Sequence, residues 1–252
     1  MDYRFLAIDC GNTRIKCTIL GVDDSVRVHR VFGYEAIDPL IDWLESERVD
    51  GCAMASVHAL DTRLVESIRN LLGEKFLLIT PHTDLGIVID YDAPDKLGID
   101  RKIAAVAAGM IYPGKKSLVV DAGTAVTIDM IGENGGFRGG TISPGASLRL
   151  ESLANGTHLL PNPGYSCLIE SCRGNSTEEC ILAGALGGLL DEIVMAMLRG
   201  EKEGVQYVLI CGGDGEWIYK NLRNRYGELN IEYQYMPDLI AIGMHEIYRR
   251  QS

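Results

Sequence analysis

Two stretches decide the fold: Asp9-Cys-Gly-Asn-Thr-Arg-Ile-Lys16 and Asp121-Ala-Gly-Thr-Ala-Val-Thr127. Each has an acid at the end of an apolar run, a glycine two residues on, and hydroxyl-bearing residues in the bend. Tyr3 to Cys10 reads as a buried strand, Gly11-Asn12-Thr13 as a tight turn, and Arg14 to Leu20 as a returning strand with Ile15, Cys17 and Ile19 on one face. Ser117 to Asp121, Ala122-Gly123-Thr124 and Ala125 to Ile131 repeat that hairpin, and Phe137 to Ser143 reads as a third strand. One such turn is ordinary turn chemistry. Two, in matched strand contexts, point to an internal duplication.

Outward from the hairpins the pattern is α/β. A strand over Val26 to Phe32 precedes a helix capped by Asp38 with Pro39 in its first turn. A strand at Gly51 to Ser56, a helix from Asp61 to Leu72 and a strand at Phe76 to Thr80 follow. After the second hairpin come helices over Ser147 to Asn155 and Glu178 to Leu198, a strand at Tyr207 to Cys211, and a last helix from about Asp238. The polar, turn-rich break Pro113-Gly114-Lys115-Lys116 divides two similar lobes, 1–113 and 114–252, with a cleft expected between them.

The chain has 24 Lys plus Arg against 35 Asp plus Glu, a net charge of −11 over 252 residues. That balance, with no basic run to reverse it, argues against a nucleic-acid or anionic-membrane partner. Seven cysteines (Cys10, Cys17, Cys52, Cys167, Cys172, Cys180 and Cys211) form no Cys-x-x-Cys pair and several lie in apolar runs, which fits buried thiols in a reducing compartment. No zinc-ligand spacing is present. The N-terminal apolar run is too short for a signal peptide and no apolar stretch reads as a membrane span, so the expected location is the cytoplasm.

The first turn presents backbone N–H groups and hydroxyls around a small concavity suited to phosphate oxygens. Asp9 beside it can hold Mg²⁺, directly or through water, and Lys16 can reach a phosphate. Leu209 to Gly215, LICGGDG, places glycines after a strand, where backbone can approach a ligand, though a plain turn would look the same. In Tyr91-Asp-Ala-Pro-Asp-Lys-Leu-Gly-Ile-Asp100-Arg101, a loop leads into an alanine-rich helix. Asp100 is placed either to cap that helix or to accept a proton from a substrate hydroxyl, and Arg101 either lies on the surface or binds a carboxylate. Gly109 to Lys116 nearly spells a P-loop, but Lys116 stands where the metal-binding hydroxyl belongs and the order of elements is reversed.

Paired Asp-x-Gly hairpins on duplicated lobes resemble the phosphate loops of the acetate kinase, sugar kinase, Hsp70 and actin superfamily. The resemblance implies two ribonuclease-H-like lobes in an actin-like ATPase fold, with ATP between them. Adding Leu97-Gly-Ile-Asp-Arg101 and Gly139-Gly-Thr-Ile-Ser-Pro-Gly145, in order along nearly the whole chain, the sequence resembles type III pantothenate kinases. That family phosphorylates pantothenate with ATP. The resemblance implies ATP contacts at Asp9, Cys10, Gly11, Asn12, Thr13, Arg14, Ile15, Lys16 and Thr124, and a general base at Asp100. It implies pantothenate contacts at Tyr91, Gly98, Ile99, Asp100, Arg101 and Thr177, and a monovalent cation, K⁺ or NH₄⁺, on Asp121. It also implies a homodimer whose substrate site borrows from both subunits. Leu160 to Asn175 departs from the family pattern, which has a basic residue nearer Asn175; Thr177 then reads equally well as an N-cap before Glu178 and Glu179.

Overall fold

The computed structural model describes residues 3–165, 168, 169, 171–227 and 229–251, so Cys167 lies outside the described residues. Its contacts group into two units, residues 3–111 with 238–251, and residues 112–237.

The first unit is built on the sheet order β3-β2-β1-β4-β5. Strands β1 (Phe5–Cys10), β2 (Ile15–Leu20) and β3 (Val26–Phe32) form an antiparallel meander, and β4 (Gly51–Ser56) and β5 (Phe76–Leu78) continue it in parallel. Alternation sends Leu6, Ile8, Cys10, Ile15, Cys17 and Ile19 to one face, where they pack with Leu40, Leu44, Leu64 and Ile68. Those four come from α1 (Ile37–Ser46) and α2 (Thr62–Leu72). Asp61 caps α2, accepting from the Arg63 and Leu64 amides at 2.8 and 3.3 Å. Asp38, expected to cap α1, lies instead inside its first turn, and Ala36 holds the cap position with no side-chain bond.

The other face of this sheet is covered by α3 (Ile99–Ile111) and α8 (Leu239–Gln251). The division at 113/114 assigned α8 to the second lobe, whereas in the structure it belongs to the first unit. The reason is packing. His245 is wholly buried and stacks on Phe5 at 4.3 Å between centroids, and Gly243 lets the α3 backbone at Ile103 approach within contact that a side chain would prevent. Asp24 ties the β2–β3 turn to the same helix, accepting from Arg249 at 3.1 Å and lying 2.6 Å from His245 Nδ1.

The second unit repeats the plan. Its order, β10-β9-β6-β7-β8, is the first unit's order read in reverse. Strands β6 (Ser117–Ala122), β7 (Ala125–Ile131) and β8 (Phe137–Pro144) make the antiparallel meander, and β9 (Tyr207–Cys211) and β10 (Glu232–Tyr235) add in parallel. Val120, Val126, Ile128, Val208 and Ile210 face a core supplied by α4 (Ala146–Gly156), α5 (Thr177–Ile181), α6 (Gly188–Lys202) and α7 (Gly215–Tyr226). The duplication read from the turns therefore extends to all five strands. The segment α7–β10 was not anticipated: its core residues Ile218 and Leu222 are too few among Arg, Lys, Asn and Tyr to give a clear stripe.

Between α5 and α6, Leu182–Gly187 is π-helical, so Thr177–Lys202 runs as one helix of 26 residues. It is long and apolar enough by length and composition to cross a membrane, contrary to the sequence expectation. Leu186, Leu189, Leu190, Ile193 and Met197 on it are wholly buried in the second unit's core.

Candidate active site

Asp9 and Lys16 are direct cross-strand partners in the β1–β2 ladder, so their side chains share one face of the sheet. That is the face covered by α3 and α8, and both helices begin with an acid. Asp100 lies in the first turn of α3, and Asp238 directly precedes α8. Burial pushes the Asp9 carboxyl up to about 6; Lys16 draws it down and the nearby Asp100 carboxylate raises it. Asp238 is also raised by burial and drawn down by His29 and by the same Lys16. His29 lies 3.8 Å from Asp238 and 3.0 Å from the Thr18 hydroxyl. Lys16 thus acts on two carboxylates, Asp9 and Asp238, and Asp100 acts on Asp9. Asp238 was not picked out from sequence, because nothing in its surroundings along the chain marks it except its place before a helix.

The β1–β2 turn closes on itself through Gly11 N donating to Arg14 O at 3.1 Å. Asn12, Thr13 and Arg14 are exposed, while Cys10 and Ile15 are buried in the apolar core. Those two side chains face away from any ligand and leave only their backbone for it. Burial holds the Cys10 thiol up at about 12, so it is protonated and inert as a nucleophile.

In the candidate substrate loop Tyr91 is exposed and Gly98 half-buried. Ile99 is 5% and Arg101 7% exposed. Arg101 is therefore not the surface cation that simple helix capping would leave. Asp100 Oδ1 accepts from the Arg101 amide at 2.9 Å, which fixes the carboxylate at the head of α3. Lys102, passed over in the sequence, is 2% exposed and donates from Nζ to Pro81 O at 3.2 Å.

In the second unit Asp121 lies opposite Thr127 across the ladder and beside Cys211. Ala122 O accepts from Asp214 N and Thr124 O from Gly145 N, each at 2.9 Å. Gly212 has φ +87°, and a methyl group there would collide with Ala122 O and Asp121 Oδ1. Both constraints require glycine. Gly212→Ala is expected to cost about 1–3 kcal/mol of stability, read as a lower urea midpoint; an unchanged midpoint would show that the turn has room to shift.

Thr177 lies at an open cavity of about 940 Å³ with Arg149, Ser152, Asn175 and Cys180. Ser176, not Thr177, caps the helix, accepting from Glu179 N at 3.2 Å. The Thr177 hydroxyl is thus not consumed as that cap, which removes the capping account of it. Arg149 pairs with Glu192 and donates to Pro144 O at 2.8 Å, holding the end of β8. In the divergent segment, Tyr165 donates to Asp214 Oδ1 at 2.7 Å, which joins that segment to the glycine-rich turn after β9.

Among the described residues no three His, Cys, Asp or Glu side chains gather as a metal-holding group. The donors at Asp9 and Asp100 are hard carboxylate oxygens, and their mutual repulsion favours a divalent cation of the Mg²⁺ type that draws its other ligands from phosphates and water.

Comparison with known proteins accords with this geometry. The acetate kinase of Porphyromonas gingivalis superposes with a TM-score of 0.50 at 14% identity, covering 97% of this chain and 99% of that one. A Campylobacter jejuni protein assigned to the Baf family of transcriptional activators gives 0.59 at 22%, covering 98% of each. At such identities these two show the fold alone, that of the actin-like ATPases. The type III pantothenate kinase of Flavobacterium johnsoniae is 33% identical over 228 residues, 87% of this chain and 89% of that protein. A family model described as type III pantothenate kinase matches residues 5–199. A family match across most of the chain and a relative one-third identical over 87% of it lead to one conclusion: the chain belongs to the type III pantothenate kinase family.

Proposed function

We propose that this protein transfers the γ-phosphoryl group of ATP to the primary hydroxyl of pantothenate, the first step of coenzyme A biosynthesis. The observation that carries the reading is the meeting of Asp9, Lys16 and Asp100 on one face of the first unit's sheet, in a chain of this family. Phosphoryl transfer depends mostly on positioning and on neutralising charge. Backbone and hydroxyl groups from Gly11 to Arg14 cradle the phosphates and Lys16 neutralises them; Thr124 is a further ATP contact in this reading. Asp9 holds the divalent ion, directly or through water, and that ion, when bound, offsets the charge of the transferring group. Asp100 orients and deprotonates the attacking hydroxyl, while Tyr91, Gly98, Ile99, Arg101 and Thr177 hold pantothenate.

Asp121 takes a monovalent cation, K⁺ or NH₄⁺. The family match supports this, as does the position of Asp121 at the end of β6 beside the second Asp-x-Gly turn, the counterpart of Asp9 at the end of β1. The enzyme acts as a cytoplasmic homodimer, a setting that suits the buried thiols of Cys10, Cys17 and Cys52.

The test is ADP release by purified protein with ATP, Mg²⁺ and K⁺, with and without pantothenate, with the product identified by mass. Release that needs pantothenate and yields its phosphate ester is the expected result. ATP binding without pantothenate-dependent release would transfer the assignment to another small alcohol, and turnover indifferent to K⁺ and NH₄⁺ would remove the monovalent cation.

A further inference from the structure

The sheet order places a strand on each side of each hairpin turn, and both flanking strands end beside it. In the second unit the last pairs are Ala125 with Pro144 and Asp121 with Cys211. The chain leaving those strands meets the turn through main-chain bonds, from Gly145 N to Thr124 O and from Asp214 N to Ala122 O. In the first unit the corresponding last pairs are Ile15 with Phe32 and Cys10 with Ser56. Here Val57 N donates to Cys10 O at 3.1 Å, the counterpart of the Asp214 bond. The first turn is one residue longer, with Gly11 to Arg14 between the last paired residues against Gly123 to Ala125 in the second. Two side chains support the extra length. Tyr34, just past β3, donates from its hydroxyl to Gly11 O at 2.6 Å. His58, just past β4, meets Asn12 O through Nε2 at 3.1 Å.

The rings brace each other edge to face, 6.0 Å between centroids and 79° between planes. His58 is held in turn by Ser56, whose hydroxyl accepts from His58 N and donates to His58 O, both at 3.0 Å. Since Asn12 O can only accept, the His58 ring carries its proton on Nε2.

We infer that Tyr34 and His58 are positioning residues for nucleotide binding. In a planar trans peptide the carbonyl and the N–H of the following residue point in opposite directions. Fixing Gly11 O against Tyr34 aims the Asn12 N–H the other way, and fixing Asn12 O against His58 does the same for the Thr13 N–H. The two side chains grip the back of the turn, so that successive N–H groups are aimed before a phosphate arrives. Such pre-organisation lowers the ordering cost that ATP binding would otherwise bear. The inference rests on the reading of this turn as the phosphate loop.

The test compares Tyr34→Phe, His58→Ala and His58→Gln with Lys16→Met, reading steady-state constants, melting temperature and calorimetric binding of a non-hydrolysable ATP analogue. Each of the first two is expected to raise KM for ATP and Kd for the analogue roughly 5- to 10-fold, the scale of one hydrogen bond. KM for pantothenate should stay within about twofold, the same scale setting the limit, and melting should change little. His58→Gln, whose amide nitrogen can replace Nε2, should recover most of the affinity. If Lys16→Met weakens the analogue while Tyr34→Phe and His58→Ala do not, the turn binds ATP without this support and the inference is overturned. A loss shared equally by ATP, pantothenate and melting temperature would also overturn it, because it would mean a merely structural role. Unchanged analogue binding in Lys16→Met as well would defeat the phosphate-loop reading itself.

Discussion

Asp100→Asn is expected to lower kcat by ~10²–10⁴-fold, the range of a general base, with KM for ATP little changed. The carboxylate stands in the first turn of α3, half-buried, with Oδ1 held by the Arg101 amide. Asparagine keeps that acceptor and the shape of the site but cannot take a proton. Folding should therefore be nearly unaffected and the loss confined to turnover. A second consequence separates this from a loss of positioning: removing the charge relieves Asp9, whose pKa Asp100 raises. The acidic limb attributable to Asp9 should then move to lower pH in the residual activity. Turnover within a few-fold of the parent would dismiss Asp100 as the base, and a large loss with no shift of the limb would mean that the two carboxylates do not interact.

Asp9→Asn is expected to do two opposite things: to reduce turnover by ~10²-fold or more, as loss of a group that neutralises the transferring phosphoryl would, and to stabilise the nucleotide-free protein. The second follows from burial. Between the ordinary carboxylate value and about 6 the folded protein binds the Asp9 proton more tightly than the unfolded chain does. Asp9 therefore favours the folded state at acidic pH, and that contribution is lost as pH rises through 6. Above it, the ionised group costs on the order of 2 kcal/mol, allowing for its partial exposure. Asparagine removes that cost. Urea unfolding at about pH 8 should show the variant more stable than the parent, and at about pH 4 the difference should nearly vanish, the interval set by this linkage. A variant less stable at both values would mean that the Lys16 pairing outweighs the burial. The active site then illustrates how a functional charge is kept at the expense of stability.

Hairpins, duplication and the α/β class were legible because their signals are local. Alternation in Ile15, Cys17 and Ile19, and the glycines two residues after Asp9 and Asp121, constrain the backbone wherever they occur. The cap of α2 was equally plain, since the helix begins where Asp61 said it would, whereas the cap of α1 fell at Ala36 rather than Asp38. The segment α7–β10 was not, because its few apolar residues are spaced among charges that only the folded sheet explains.

By itself the sequence singled out candidate residues and their local setting: an acid and a lysine on one hairpin, an acid and an arginine at the head of a helix, glycines after strands. Tertiary structure alone decided what those groups meet. It returned α8 to the first unit, which put Asp238 beside Lys16, and laid α3 over the same face, which put Asp100 near enough to Asp9 to raise its pKa. It also brought Tyr34 and His58, from the ends of the strands flanking the hairpin, to one turn. The physical reason is that secondary structure answers to neighbours along the chain, whereas burial and Coulomb energies depend on separation in space, which sequence separation does not fix.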